Sequence, residues 1–325
     1  MTTNRGTALL AVLWLSAALG TIALALADTV RGESERSATA VDGLRAQSLA
    51  IGGLRRAILY MDWSRVYSDI PRYKIPPQFY PFDFPEGQAV VEVIPETAKL
   101  NINQVTTEDL FHLLMSLGAG EERAREVTAA IVDWHTPSPP GPNPFDEFYQ
   151  SITPPYRAPH NNFDEIEELL AVRGVTSDLY YGTWLPAPEG SAQRLAPGAG
   201  LRDCLSVFGS TGAFDVNTAA PPVLATIGIT PEGVAALVQQ RRVQPFVKPE
   251  DLTPFAQIAG PGFVRLRIGG NSIFTLRATA RVRLANGQLS DLRRTVAAQV
   301  KLLKPGGDPS YTILRWYDTA LAGPM

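Results

Sequence analysis

The sequence predicts an α+β chain in which a long N-terminal helix packs on a small antiparallel sheet, with a large α-helical domain inserted into that sheet. Three observations predict it. The apolar run Thr7–Ala27 opens the chain and passes into an amphipathic stretch with no proline before Pro71. Alternating apolar residues mark a strand at Gln88–Ile94 and a hairpin at Ser272–Leu284 and Leu289–Leu302. Between them, residues 99 to 260 carry a helical, interrupted pattern with a weak internal repeat.

Thr7–Ala27 is a charge-free run of 21 residues. As a helix rising about 1.5 Å per residue it crosses roughly the 30 Å hydrocarbon core of a bilayer. Residues 1–6 precede it, and their Arg5 and terminal amine are positive, which keeps this end cytoplasmic and sends everything after Asp28 to the far side. A secretory signal is the competing reading, since Ala25-Leu26-Ala27 has the small-x-small form of a cleavage site. The apolar part of such signals, however, is usually only about 7–15 residues long.

From Asp28 to about Tyr60, Val30, Val41, Leu44, Leu49, Leu54, Ile58 and Leu59 recur among charged and polar residues, so the helix continues. Its outer half is expected to pack on the sheet and its inner half on neighbouring helices. Pro71, Pro76, Pro77, Pro81 and Pro85 then predict an extended surface loop.

The repeat in the helical region has two copies. Lys99-Leu-Asn-Ile-Asn-Gln introduces helices at Thr107–Leu117 and Arg123–Trp134; Ala213-Phe-Asp-Val-Asn-Thr introduces helices at Pro222–Ile227 and Pro231–Arg242. Thr106 or Thr107 in the first copy, and Thr230 in the second, are suited to cap a helix N-terminus, with acidic residues following in the first turn. Asn286-Gly287 between two alternating runs signals the turn of the late hairpin. Tyr311–Tyr317 adds an edge strand or simply packs.

Composition narrows the class. With 325 residues, 45% of them hydrophobic, the chain can bury one large core or two modest ones beyond any anchor. A net charge of -3 argues against general attraction to nucleic acid. Cys204 is the sole cysteine, which excludes an intrachain disulfide and a thiolate metal cluster. His112, His135 and His160 show no paired metal-ligand spacing, and the sequence holds no nucleophile elbow, phosphate-binding loop or dinucleotide fingerprint. His112 reads as a packing residue, and Trp134, Tyr149, Tyr156 and Trp184 read as core.

Arg5-Gly6 placed ahead of the apolar run resembles a type IV prepilin leader, cut between Gly6 and Thr7 so that the mature chain keeps its helix. Further along stand Leu100–Asn103, Ile131–Trp134, Asp146–Tyr149, Pro154–Arg157, Glu167–Leu170, Gly174–Thr176 and Asp215–Ala219. In this order the chain resembles the K-type minor pseudopilins of type II secretion systems, the GspK family, over nearly its whole length. The resemblance implies a pseudopilin fold with an inserted helical domain. It divides the chain into a leader (1–6), an anchor (7–27), a periplasmic helix with the start of the α+β domain (28–98), the insertion (99–260) and the remaining strands (261–325).

The same resemblance implies a non-catalytic subunit at the tip of the pseudopilus, where it starts or caps assembly for export of folded proteins. Its implied partners are I- and J-type and then H-type minor pseudopilins, a prepilin peptidase and the inner-membrane assembly platform, with no nucleic acid. The chain would sit once through the inner membrane with its C-terminal part in the periplasm. Ala11 stands fifth after the implied cut, where major subunits of such filaments carry a glutamate, and K-type subunits characteristically lack it.

Family members are associated with calcium in the insertion, and here the resemblance places Asp133, Asp146 and Glu147 at that site. Thr136 and Ser138 replace two acids of the pattern, which weakens or abolishes a site that needs about six to eight oxygen ligands. The alternative is a solvated acidic face formed by Asp146, Glu147, Asp164, Glu165, Glu167 and Glu168, with Asp164 capping a helix.

Two rival functions remain, a type IV pilus minor pilin and a competence-type helix-hairpin-helix protein that binds DNA. Gly118-Ala119-Gly120 has the glycines of a phosphate-binding hairpin, but Glu121-Glu122 follow and repel a phosphate. In the second copy Pro231-Glu232 follow the turn, and Arg241, Arg242 and Lys248 are the nearby basic residues.

Overall fold

The structure is a computed structural model, and it describes residues 4–67, 78–137, 141, 143–186 and 195–318. Helix α1 runs unbroken from Asn4 to Val66, 63 residues. At about 1.5 Å per residue it is roughly 95 Å long, three times the span a bilayer needs. It ends six residues beyond Tyr60, the end expected from periodicity, because Arg65 in its last turn donates to the Leu303 carbonyl at 2.5 Å and ties that end to the sheet.

The sheet has five strands, all antiparallel: two from before the helical region stand beside three from after it, with Gly87–Pro95 paired to Ile273–Val282 at the junction. Its first two are β1 (Phe79–Phe84) and β2 (Gly87–Pro95). The prolines led us to expect an extended loop where β1 lies; the segment is an edge strand, where a residue without an N–H is tolerated on the unpaired side. Pro71, Pro76 and Pro77 lie outside the described residues.

After β2 come β3 (Leu100–Asn101), α2 (Thr107–Ser116), α3 (Glu121–His135), α4 (Pro144–Ser151) and α5 (Ser177–Tyr181). A short ribbon, β4 (Trp184–Pro186) with β5 (Leu195–Pro197), leads to α6 (Leu201–Cys204) and β6 (Leu205–Ser206). The second half holds β7 (Phe214–Asp215), α7 (Pro221–Thr226), α8 (Pro231–Val243), α9 (Ala256–Ala259) and β8 (Leu266–Arg267). The chain then returns to the sheet with β9 (Ile273–Val282), β10 (Arg294–Leu302) and β11 (Tyr311–Tyr317).

Two separate cores result. One lies between α1 and the sheet: Ala46, Ala50, Leu54, Ala57 and Ile58, spaced by three and four, meet Val91, Leu276, Ala278, Val296 and Ala298. Gly53 sets the approach, since a Cβ there would come within 2.7 Å of the Ala89 Cβ. The other core belongs to the helical region, from Leu110, Leu113 and Ile131 of the first copy to Phe214, Leu224 and Leu237 of the second.

The four repeat helices match the expected ones to within two residues at either end. Thr106 accepts from the Asp109 N–H and Thr230 from the Gly233 N–H, both at 3.0 Å, so the caps stand where the sequence put them. The late hairpin is looser than expected. Leu289 keeps a single bridge to Arg283, the chain then leaves the ladder, and β10 begins only at Arg294, although Leu284 and Gln288 still close the Asn286-Gly287 turn.

Candidate functional site

The surface that distinguishes this chain is α1 itself. Leu9 to Leu26 present their apolar side chains outward, Trp14 at 73% exposure, and Val30, Val41 and Leu44 continue as exposed apolar residues beyond the membrane-length part. One helix among the described residues, Leu9–Val66, is long and apolar enough to cross a membrane. Ala11 lies exposed within that stretch, and Gly6 and Thr7 lie in the first turns of the same helix. Only the last third of α1, from Ala46 onward, is covered by the sheet.

The helical region is fastened to the sheet by charge pairs that join distant parts of the sequence. Arg277 of β9 reaches Glu92 of β2 at 3.4 Å and Asp203 of α6 at 3.7 Å. Burial raises the Glu92 carboxyl above its ordinary range, and the Arg277 guanidinium opposes that rise. Arg315 of β11 holds Glu165 and, at 2.9 Å, Glu167. Part of the acidic face expected from the sequence is therefore paired with the last strand. Its N-terminal cap is also not Asp164: Glu168 reaches back to accept from the N–H groups of Asp164 and Glu165, at 2.8 and 2.9 Å.

Inside the two copies, one asparagine in each lead-in makes the same reciprocal clasp. Asn103 donates to the Phe163 carbonyl at 3.0 Å and accepts from the Phe163 N–H at 2.8 Å. Asn217 donates to the Phe246 carbonyl and accepts from its N–H, both at 2.9 Å. An acid five residues after each phenylalanine then takes two backbone N–H groups: Glu168 in the first copy, Asp251 in the second. The repeat is thus longer than its two helices, and its closing half is absent from the expectation. The clasps span 60 residues in the first copy and 29 in the second, because the first copy alone carries α4 and its flanking loops.

That extra segment contains the residues singled out for calcium. Asp133 at the end of α3 and Asp146 in α4 are brought together through His160, whereas Glu147 is exposed beside them. The His160 Nε2 lies 3.1 and 3.2 Å from the two Asp146 carboxylate oxygens. Its Nδ1 lies 3.0 Å from the Asp133 carbonyl and 3.2 Å from that of Thr136. Burial disfavours the charged ring, but the hydrogen bonds to Asp146 and Asp133 outweigh it and hold His160 above the ordinary histidine range. Asn143 occupies Asp133 Oδ1 at 2.8 Å, and Asp133 Oδ2 is buried without a partner. Thr136 turns its hydroxyl to the Val132 carbonyl at 2.6 Å, and Ser138 lies outside the described residues. Among the described residues no group of three or more His, Cys, Asp or Glu side chains is placed to hold a metal ion. Of the four carboxylate oxygens of Asp133 and Asp146, three are taken by Asn143 and His160, which is a poor fit to an ion that takes about six to eight oxygens.

Trp134 and Tyr149 are core, as expected, in edge-to-face contact at 5.4 Å, and Tyr156 packs half-buried on both. Trp184 is not. It is 67% exposed on the β4–β5 ribbon, whose neighbours Leu185 and Leu195 are also outside. His112 is likewise exposed, near Glu108, because it falls on the outward side of α2. A cavity of about 830 Å³ opens between α2 and α3, lined by Phe111, Ala129 and Val132, an apolar groove without a positioned nucleophile and base. At the hairpin turns Gly118 and Gly228 adopt φ values of 87° and 92°, and Glu121, Glu122 and Glu232 stand in the helices that follow.

A membrane-length helix continued onto a small antiparallel sheet, with a helical body inserted between the second and third strands, defines the class: this is a pseudopilin fold. Two segments of the chain, residues 95–182 and 214–267, match the family described as type II secretion system (T2SS), protein K. The chain is 28% identical over 202 residues to the type II secretion system protein K of Pectobacterium carotovorum subsp. carotovorum, covering 54% of this chain and 60% of that protein. A crystal structure of the GspK-GspI-GspJ complex from the enterotoxigenic Escherichia coli type 2 secretion system aligns with 17% identity and a TM-score of 0.49, over 90% of this chain and 99% of that one.

Proposed function

We propose that this chain is the K-type minor pseudopilin at the tip of a type II secretion pseudopilus, a non-catalytic assembly subunit. The observation that carries the proposal is the combination on one helix of an uncovered apolar stretch with a sheet-packed last third that bears a large helical head. A helix whose apolar side chains face outward from Leu9 to Leu26 and at Val30, Val41 and Leu44 needs lipid for one part and protein for the next. I- and J-type minor pseudopilins, followed by the H type, are the partners whose own long helices suit that surface. The anchor holds the chain in the inner membrane with the head in the periplasm until those helices pack against it. The head then covers the top of the complex, where no further subunit adds. Ala11 suits such a position, since an isolated carboxylate in lipid is costly and a first subunit has no amine above it to neutralise one.

The proposal includes processing by a prepilin peptidase between Gly6 and Thr7, and delivery by the inner-membrane assembly platform. Intact mass and N-terminal sequencing of protein from membranes, with and without the peptidase, test this step. A new N-terminus at Thr7 that depends on the peptidase is expected; cleavage after Ala27 would remove the anchor and contradict the proposal.

A further inference from the structure

The first repeat copy contains a segment that the second lacks, and it must be closed by something. Between the end of α3 and Phe163 the chain makes α4 and returns, so two stretches of backbone approach each other outside any sheet or helix ladder. His160 sits at the crossing. Both of its ring nitrogens face only acceptors: two main-chain carbonyls on one side, the Asp146 carboxylate on the other. A ring in that setting donates from both nitrogens. It also holds its own backbone at φ 47°, the one positive φ of a non-glycine residue among the described residues. That conformation is unfavourable for a histidine and persists where surrounding contacts fix it.

A divalent ion in such a loop would draw carboxylates and carbonyls to one point. His160 already does so: it gathers the Asp133 and Thr136 carbonyls and the carboxylate of Asp146, one of the acids that the resemblance assigns to calcium. Both Asp146 carboxylate oxygens are thereby engaged, and Asn143 takes Asp133 Oδ1. We infer that His160 is a permanent internal cross-link in the position where the family resemblance implies calcium, and that this loop is closed without a metal. The side chain is 14% exposed, so water competes weakly for its bonds. The inference takes only its expectation of calcium from the protein K reading. Its test uses purified protein and is independent of secretion.

The experiment is thermal unfolding and hydrogen exchange of the full chain in detergent, in EGTA and in millimolar calcium chloride, for wild type, His160→Ala and His160→Gln. Wild type is expected to unfold at the same temperature in both solutions. Both variants are expected to unfold earlier than wild type in both. Exchange in residues 144–160 should speed up by about tenfold or more, the factor for loss of a charge-assisted hydrogen bond. A saturable rise of the wild-type midpoint with calcium that Asp133→Asn abolishes would overturn the inference. So would wild-type midpoints and wild-type exchange in both variants.

Discussion

Asn103 and Asn217 do the same work in different surroundings, and the difference predicts their weight. Asn217 and Phe246 are each 1% exposed, so removing the amide strands a buried N–H and a buried carbonyl. Each stranded group costs about 1–3 kcal/mol. Asn103 is only partly buried, and water reaches the groups it leaves. Asn217→Ala is therefore expected to destabilise the helical region by about 2 kcal/mol or more, and Asn103→Ala by clearly less, in denaturant unfolding followed by tryptophan fluorescence. Equal losses would mean that the clasps are not what closes the copies. Asp251 adds a pH signature. Its carboxylate accepts from the Lys248 and Val247 N–H groups, both at 2.9 Å, which hold it below the ordinary carboxylate range. A depressed folded value means that its contribution is complete above about pH 4 and fades as pH falls through the lowered range. NMR titration of Asp251 should give a midpoint below that of an unstructured aspartate, and a midpoint at or above it would remove this contribution.

At the scale of elements, the contact between α1 and the sheet depends on how close two backbones come. Gly53 faces Ala89, and a methyl group on Gly53 would lie 2.7 Å from the methyl of Ala89. Alanine favours a helix over glycine by up to about 1 kcal/mol, but overpacking a core costs about 1–3 kcal/mol. Gly53→Ala is expected to destabilise on balance, and Gly53→Ala with Ala89→Gly to recover most of the loss, measured by thermal unfolding. A stabilised single variant would show that this contact is looser than described. Most elements were legible in the sequence because their signals are local: the proline-free run of α1, the alternation in β2 and β9, the threonine caps at 106 and 230. β1 was hidden by prolines that an edge strand tolerates. The clasps were hidden by unequal spacing, 60 residues against 29, although the Phe-plus-acid pattern at Phe163 and Glu168 recurs at Phe246 and Asp251. Arg315 gave no local sign of its link to Glu167, 148 residues away. Trp184 was misplaced because an aromatic residue beside a turn reads as core by habit of type, whereas here it stands on an outer ribbon.

The molecule as a whole is a rod with a head. Its two cores are separate, and charge pairs at Arg277 and Arg315 couple the head to the sheet that covers the last third of the rod. These pairs tie the head to the sheet-packed end of the helix, an arrangement that suits the proposed tip position. On the proposed function, the uncovered face of α1 beyond the membrane is a protein–protein surface. Its most direct test is co-expression of the full chain with the I- and J-type minor pseudopilins of the same organism, followed by detergent extraction and size-exclusion chromatography with mass determination. The account predicts a complex that contains all three chains and that is lost when Val41 and Leu44 are replaced by aspartate. Elution of this chain alone, or a complex indifferent to those substitutions, would contradict it.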